Sequence, residues 1–236
     1  MRAPTIAGVP ALIAYRGAMM PRNAPTILYY HGFGGRKENE VAALSSLARR
    51  GFLAVGLDNV GHGARRLPNF DQHFDGLEPG AELEARFLTL VRATAQEIPA
   101  LIDELIAHGM ANPERIGVAG WSMGGFIAYA AITTDRRIRA AAPILGAPEW
   151  RLPWPESPHY TPERFFPTAL LSQTAGEDQR VPPHFARQFH ERLQPYYATS
   201  PERLCYREYE KIGHSVPEQI ATEMRYHMIE WVAEQL

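Results

Sequence analysis

Gly120-Trp121-Ser122-Met123-Gly124-Gly125 has the form G-x-S-x-G. An apolar, β-branched run, Arg115-Ile116-Gly117-Val118-Ala119, precedes it, and a helix-forming run, Phe126-Ile127-Ala128-Tyr129-Ala130-Ala131, follows. Strand, tight turn through a serine, then helix is the setting that presents a hydroxyl as a nucleophile. The turn forces the serine into an uncommon backbone conformation. Its neighbours must be small, because a Cβ there would meet the adjoining strand or helix. The positive end of the following helix points to where an oxyanion would form.

Working outward, buried strands alternate with helices. Thr26–Tyr30 is a continuous apolar, β-rich run, as expected of a strand covered on both faces; Phe52–Leu57 and Ile138–Leu145 read as further buried strands, and Thr168–Thr174 as a strand. Between them, Glu38–Arg50, Glu82–His108, Pro183–Leu193 and Pro217–Gln235 read as helices, the second kinked or split at Pro99. Ala11–Tyr15 reads as an early strand, part of a pair of short edge strands, and Leu204–Tyr209 as a late one. Asn112-Pro113-Glu114 reads as a turn. The pattern predicts an α/β fold: one domain over residues 1–236, with a mostly parallel sheet and helices on both faces. Two irregular stretches stand out, Arg65–Gly80 and the proline- and aromatic-rich Gly146–Pro167. Both fall at carboxyl ends of strands, where such sheets bind ligands.

Composition narrows the options. At 236 residues, with 45% hydrophobic and 21% charged residues, the chain can bury a sizeable core. A formal net charge of -2 implies no basic face, so nucleic acid is not an expected partner. The one cysteine, Cys205, allows no internal disulfide and no metal cluster, and reads as strand filler. A cytoplasmic location is expected. No apolar run reaches the roughly 18 residues of a membrane span. Pro4, Gly8 and Pro10 interrupt the mildly apolar start, so no signal peptide is expected either.

A serine hydroxyl needs a base within hydrogen-bond reach, and the base needs a carboxylate to fix its tautomer. Beyond Ser122, Glu177 and Asp178 follow a strand, and the shorter Asp178 is the more rigid choice. Among His184, His190, His214 and His227, only His214 sits in a loop directly after a strand, between Gly213 and Ser215. The backbone N–H of Met123 and one from His31-Gly32-Phe33-Gly34 would hold an oxyanion, with Phe33 the better donor and Gly34 the second. His31 and His62 read as structural.

Taken together, the H-G-F-G-G loop at 31–35, G-W-S-M-G-G at 120–125, G-E-D-x-x-V-P at 176–182 and G-H at 213–214 resemble the α/β-hydrolase superfamily. The resemblance spans about Thr26 to the end. It is nearest small bacterial esterases of the dienelactone hydrolase-like and prolyl-oligopeptidase-like branch. It implies Ser122 as nucleophile, Asp178 as acid, His214 as base, and Phe33 with Met123 as oxyanion donors. Asp58-Asn59-Val60-Gly61-His62-Gly63-Ala64-Arg65 is similar to a D-x-x-x-H-G-x-R loop that borders the site in some of these hydrolases. Serine, where a dienelactone hydrolase carries cysteine, argues against that substrate. No propeller fits before Thr26, which argues against cleavage of long peptides.

The resulting expectation is hydrolysis of small carboxylic esters through an acyl-enzyme, without metal or organic cofactor. Peptidase, amidase or thioesterase action shares the same chemistry, and a non-catalytic binding protein on the same scaffold is the rival from another class. Gly146–Pro167 is expected to fold over the site as a small cap. Trp121, Trp150 and Trp154 are the candidate substrate contacts, beside Tyr160, Phe165 and Phe166. Arg36, Arg65, Arg151 and Arg180 are expected on a solvated rim. The oligomeric state is open between monomer and homodimer.

Overall fold

Side-chain alternation along the central strands builds two cores, one on each face of a single sheet. The computed structural model describes residues 1–74, 77 and 80–236. Its strands are β1 (Thr5–Ile6), β2 (Val9–Ala14), β3 (Ala24–Tyr30), β4 (Leu53–Leu57), β5 (Ala111–Trp121), β6 (Ile138–Ile144), β7 (Ala169–Ala175) and β8 (Leu204–Tyr209). They form one eight-stranded sheet in the order β1-β2-β4-β3-β5-β6-β7-β8. β3 through β8 run parallel, and β2 pairs antiparallel with β4 and with β1. The expected short edge pair is therefore β1 and β2.

Leu28 and Tyr30 of β3, Leu53, Val55 and Leu57 of β4, and Val118 of β5 face one core. There they meet α3 (Ala81–Gln96), α4 (Ile98–Ala107), α5 (Met123–Thr134) and α6 (His184–Leu193). Ile27, Tyr29, Ala54 and Ala119 face the other core, packed by α1 (Val41–Arg49) and α7 (Glu218–Gln235). This is the period-2 pattern of strands covered on both sides. A short helix, α2 (Phe70–Phe74), completes the set. α3 and α4 are the two halves of the single helical run, parted at Glu97 with Pro99 in the first turn of α4, where its missing N–H costs nothing. Among the described residues, no helix is long and apolar enough to cross a membrane.

One expectation is corrected. Asn112-Pro113-Glu114 is no turn but part of β5. Ala24 pairs with Ala111 and Thr26 with Ile116, so four residues of β5 oppose the single Pro25 and bulge out of register. Gly146–Pro167, the expected cap, is the connection from β6 to β7. β6 and β7 are parallel neighbours, with Ala140 opposite Ala169 and Ile144 opposite Gln173. The segment between them must therefore return across the whole sheet, and it takes the place of a crossover helix. Its proline-rich composition permits only two 3₁₀ turns, Pro158–Tyr160 and Pro162–Arg164. Phe165 ends fully buried against Phe189, and Phe166 stands edge-on to Tyr197. Tyr160 is exposed on the surface. Of the other irregular stretch, Arg65–Gly80, residues 75, 76, 78 and 79 lie outside the described residues.

Candidate active site

Ser122 sits between β5 and α5 with φ 52° and ψ -110°, a conformation that non-glycine residues avoid. The surrounding glycines show why the turn is built this way. A Cβ on Gly120 would lie 2.5 Å from the Gly124 carbonyl carbon, and one on Gly125 2.6 Å from the Ile144 oxygen. One on Gly124 would lie 2.0 Å from the Tyr30 carbonyl oxygen. The first turn of α5 thus rests directly on backbone at the ends of β3 and β6, which explains the requirement for small neighbours. Ser122 itself is fixed by its N–H donating to Ile144 O at 2.8 Å and by its carbonyl accepting from the Gly125 and Phe126 amides.

Three side chains from three loops converge. Ser122 Oγ lies 2.9 Å from His214 Nε2, and His214 Nδ1 lies 2.7 Å from Asp178 Oδ2. Asp178 is buried at the end of β7. Its second oxygen accepts from the Arg180 and Val181 amides, both at 2.9 Å. With one oxygen held by backbone, the other can face only His214, whose Nδ1–H donates to it. Nε2 is thereby left as the acceptor for the serine hydroxyl. The loops bearing the acid and the histidine are tied together by the Gly176 N–H to Tyr209 O and the Glu177 N–H to Ile212 O, each 2.8 Å. Glu177, the other acid candidate, stays outside this relay.

Phe33 belongs to the 31–35 loop, and Met123 directly follows Ser122 at the start of α5. A Cβ on Gly32 would be 3.8 Å from Ser122 Cβ, so the 31–35 loop lies against the serine. Among the described residues, neither the Phe33 nor the Met123 amide has a hydrogen-bond acceptor. Free amides beside a serine hydroxyl are groups able to receive a negatively charged oxygen.

Histidines hold this loop in place. His31 Nδ1 donates to Gly32 O at 2.7 Å, Nε2 accepts the Asn59 amide at 3.1 Å, and Asn59 Nδ2 returns a bond to His31 O. Asp58 sits behind it, fully buried, accepting from the Lys37 amide, Lys37 Nζ and the Ala64 amide at 2.8–2.9 Å. Burial alone would raise the Asp58 carboxyl, but these hydrogen bonds outweigh it and hold it below the ordinary carboxylate range. Arg65 is not a solvated rim residue. It forms a two-pronged ion pair with Glu97, both contacts at 2.6 Å, and donates to Asp58 O and Asn59 O. The D-x-x-x-H-G-x-R loop is thus a strut under the 31–35 loop. Gly63, at φ 56°, leaves room for the Asp58 carboxylate, which a Cβ would meet at 2.0 Å.

Buried histidines make an acid-labile device of this region. Burial lowers His31, brings His62 down to about 4, and brings His190, bonded to Ser172 beneath β7, down to about 3. All three are neutral in the folded chain, while the unfolded chain protonates them near 6.5. The stability they contribute is present above pH 6.5 and is lost as pH falls toward 4. Each fully shifted histidine adds a slope of about 1.4 kcal/mol per pH unit. Urea midpoints taken at about pH 7.5 and about pH 5 are expected to fall by several tenths of a molar or more. Equal midpoints would contradict the neutral, buried assignment.

The wall over the site comes from residues that sequence reasoning passed over. The Phe33 ring packs against His62, Phe70, Phe74 and Phe87, at centroid distances of 4.7–6.0 Å, and Phe87 meets Phe126 of α5 at 5.2 Å. The i, i+4 spacing of Phe70 and Phe74 in a polar stretch was the available signal. Trp121 stays next to the site, its ring beside Gly32 and under Arg225. Trp150 and Trp154 do not join it. Trp150 is buried in the core, and the two stand together beside α3, with Arg92 over the Trp154 ring. The crossover path of 146–167 carries them away from Ser122. Arg151 pairs with Glu84 and donates to Arg180 O. Arg36 is mostly exposed beside Glu38. Among the described residues, no group of three or more His, Cys, Asp or Glu is placed to hold a metal.

The model of the alpha/beta hydrolase family matches residues 27–230, most of the chain. The chain belongs to the alpha/beta hydrolase family. It is 27% identical over 243 residues to the Bacillus subtilis protein named "Putative esterase YitV", covering 90% of this chain and 91% of that one. Its fold is similar to that of TT1662 from Thermus thermophilus, with a TM-score of 0.74 at 22% identity, over 98% and 97% of the two chains. It is also similar to the Klebsiella pneumoniae structure described as a "Putative Dienelactone Hydrolase", with a TM-score of 0.68 at 17% identity, over 95% and 92%.

Proposed function

We propose that the chain is a serine carboxylesterase acting on small esters. The observation that carries this is the continuous relay from Ser122 Oγ to His214 Nε2 and from His214 Nδ1 to Asp178 Oδ2, seated on the elbow. In this reading His214 takes the hydroxyl proton as Ser122 attacks the ester carbonyl carbon. The carbonyl electrons move onto oxygen, where the Phe33 and Met123 amides stabilise them. His214 then gives the proton to the departing alcohol as the tetrahedral intermediate collapses to an acyl-Ser122. Water, deprotonated by the same histidine, releases the acid and restores the serine. Asp178 keeps the imidazole in the required tautomer and stabilises its protonated form. The likeness to a protein named as an esterase supports the ester as the substrate bond.

A paired assay tests the choice of bond. p-Nitrophenyl esters of two to eight acyl carbons and the matching p-nitroanilides are compared by kcat/KM. The esters are expected to be turned over at least about 100-fold better, since an anilide leaving group demands fuller protonation. Comparable values for the two series would replace the esterase by an amidase.

A further inference from the structure

A peptide plane is fixed by whatever holds its carbonyl. In a trans peptide the C=O and N–H that share a plane point in opposite directions. Among the described residues, Phe166–Pro167 is the one cis bond. The Phe33 N–H shares its plane with the Gly32 carbonyl, so the groups that anchor Gly32 O also aim the Phe33 N–H.

Gly32 O is anchored twice, by His31 Nδ1 at 2.7 Å and by the Gly35 amide at 3.1 Å. The His31 ring can donate there in one tautomer only, and the loop after β4 selects it. The Asn59 amide donates to Nε2 at 3.1 Å, so Nε2 carries the lone pair and Nδ1 the hydrogen. Asn59 acts a second time through its side chain, whose Nδ2 donates to His31 O at 3.0 Å and so holds the preceding peptide plane. His31 and Asn59 are both fully buried, and burial keeps the imidazole neutral. Asn59 O in turn accepts from the His62 amide at 3.0 Å and from Arg65 Nε at 3.3 Å. The direction follows from the sheet order β4-β3-β5. His31 follows β3, its ring meets Asn59 on the β4 side, and Ser122 follows β5 on the other side. Carbonyls drawn toward β4 leave the Phe33 N–H facing the β5 side.

We propose that Asn59 and His31 are positioning residues for ester cleavage. Asn59 sets the His31 tautomer, and His31 Nδ1–H holds the Gly32–Phe33 peptide with its N–H toward the carbonyl oxygen of an ester at Ser122. This rests on the esterase reading. Both side chains are buried and act only through the loop.

Two substitutions of His31 separate its donor from its acceptor. In His31→Asn the amide nitrogen takes the place of Nδ1 and can still donate to Gly32 O. In His31→Gln an amide oxygen reaches the place of Nε2 and can accept from Asn59, but nothing replaces the Nδ1 donor. His31→Gln is expected to lower kcat for a p-nitrophenyl ester by about 100-fold or more, with KM within about threefold of wild type. It is expected to weaken a trifluoromethyl ketone inhibitor by a similar factor, because the hemiketal oxygen takes the same amide. His31→Asn is expected to stay within about tenfold of wild type in each measure. The ¹⁵N–¹H resonance of Phe33 is expected to be single and sharp in wild type and in His31→Asn, and to broaden or split in His31→Gln, whether or not an ester is turned over. Where His31→Gln does not fold, Asn59→Ala, which frees the His31 carbonyl, is expected to lower kcat about tenfold at unchanged KM. Equal losses in the two His31 variants, an unchanged kcat in His31→Gln or Asn59→Ala, or a Phe33 resonance that stays sharp in His31→Gln would each overturn the proposal. A wild type inactive toward the esters, with the Phe33 resonance behaving as expected, would overturn the esterase reading while supporting the positioning of the amide.

Discussion

Ser122→Ala is expected to lower kcat for a short p-nitrophenyl ester by about 10⁴- to 10⁶-fold, with the urea midpoint of unfolding close to wild type. The size follows from how the site is divided. The serine supplies the only group through which an acyl-enzyme forms in this reading. What survives its loss is what the Phe33 and Met123 amides and substrate positioning contribute to direct attack by water. His214 and Asp178 remain paired at 2.7 Å in the variant, because the acid is held by the Arg180 and Val181 amides rather than by the serine. The fold should not register the change. Alanine keeps the Cβ, and the Ser122 backbone bonds to Ile144 and Gly125 do not involve the hydroxyl. Turnover within tenfold of wild type would remove Ser122 from the mechanism; an unfolded variant would show that the hydroxyl has a structural role the contacts do not reveal.

The second large effect is on stability. Gly124→Ala is expected to destabilise the chain by about 3 kcal/mol or more, as read by urea denaturation, and to depress activity in whatever remains folded. The new methyl would lie 2.0 Å from the Tyr30 carbonyl oxygen and 3.1 Å from that of His31. Both are backbone atoms, so no side-chain rotation relieves the clash, and α5 has to move off the end of β3. That displacement reaches the 31–35 loop and with it the Phe33 amide. Gly213→Ala is the control. Its nearest neighbour would be Glu177 O at an ordinary 3.8 Å, and it is expected to cost less than about 1 kcal/mol. A Gly124→Ala chain as stable as the control would mean that the elbow is looser than its contacts indicate.

The parts of this architecture that local chemistry determines are readable from the residues. Runs such as Thr26–Tyr30 and Phe52–Leu57 are apolar on both faces, so they can only be central strands, and their spacing leaves room for one helix each. The glycines around Ser122 announce close backbone approach, and the position of His214 after β8 follows from the order of the elements. The fate of Gly146–Pro167 is not local. A tryptophan in a proline-rich connection reads the same whether it covers a ligand or the sheet. What decides is the distance the chain must travel from the end of β6 to the start of β7, and parallel pairing makes that the full height of the sheet. Asn112–Glu114 misled for a related reason, since a turn composition can be absorbed as a bulge when both flanking residues keep their partners on β3. The aromatic wall was obscured because Phe33, the Phe70–Phe74 pair and Phe87 are separated in sequence and meet only around the Phe33 ring. Arg65 looks like any loop arginine until Glu97, 32 residues away, is placed beside it.

The central claim is that an ester's acyl group passes through Ser122. Intact-mass and peptide-mass spectra of the chain, acid-quenched during turnover of a slowly hydrolysed p-nitrophenyl ester, test it most directly. The predicted result is a mass increase equal to one acyl group, located on the peptide that carries Gly120–Gly125 and absent from Ser122→Ala. An acyl group found on another residue, or retained when Ser122 is replaced, would contradict it.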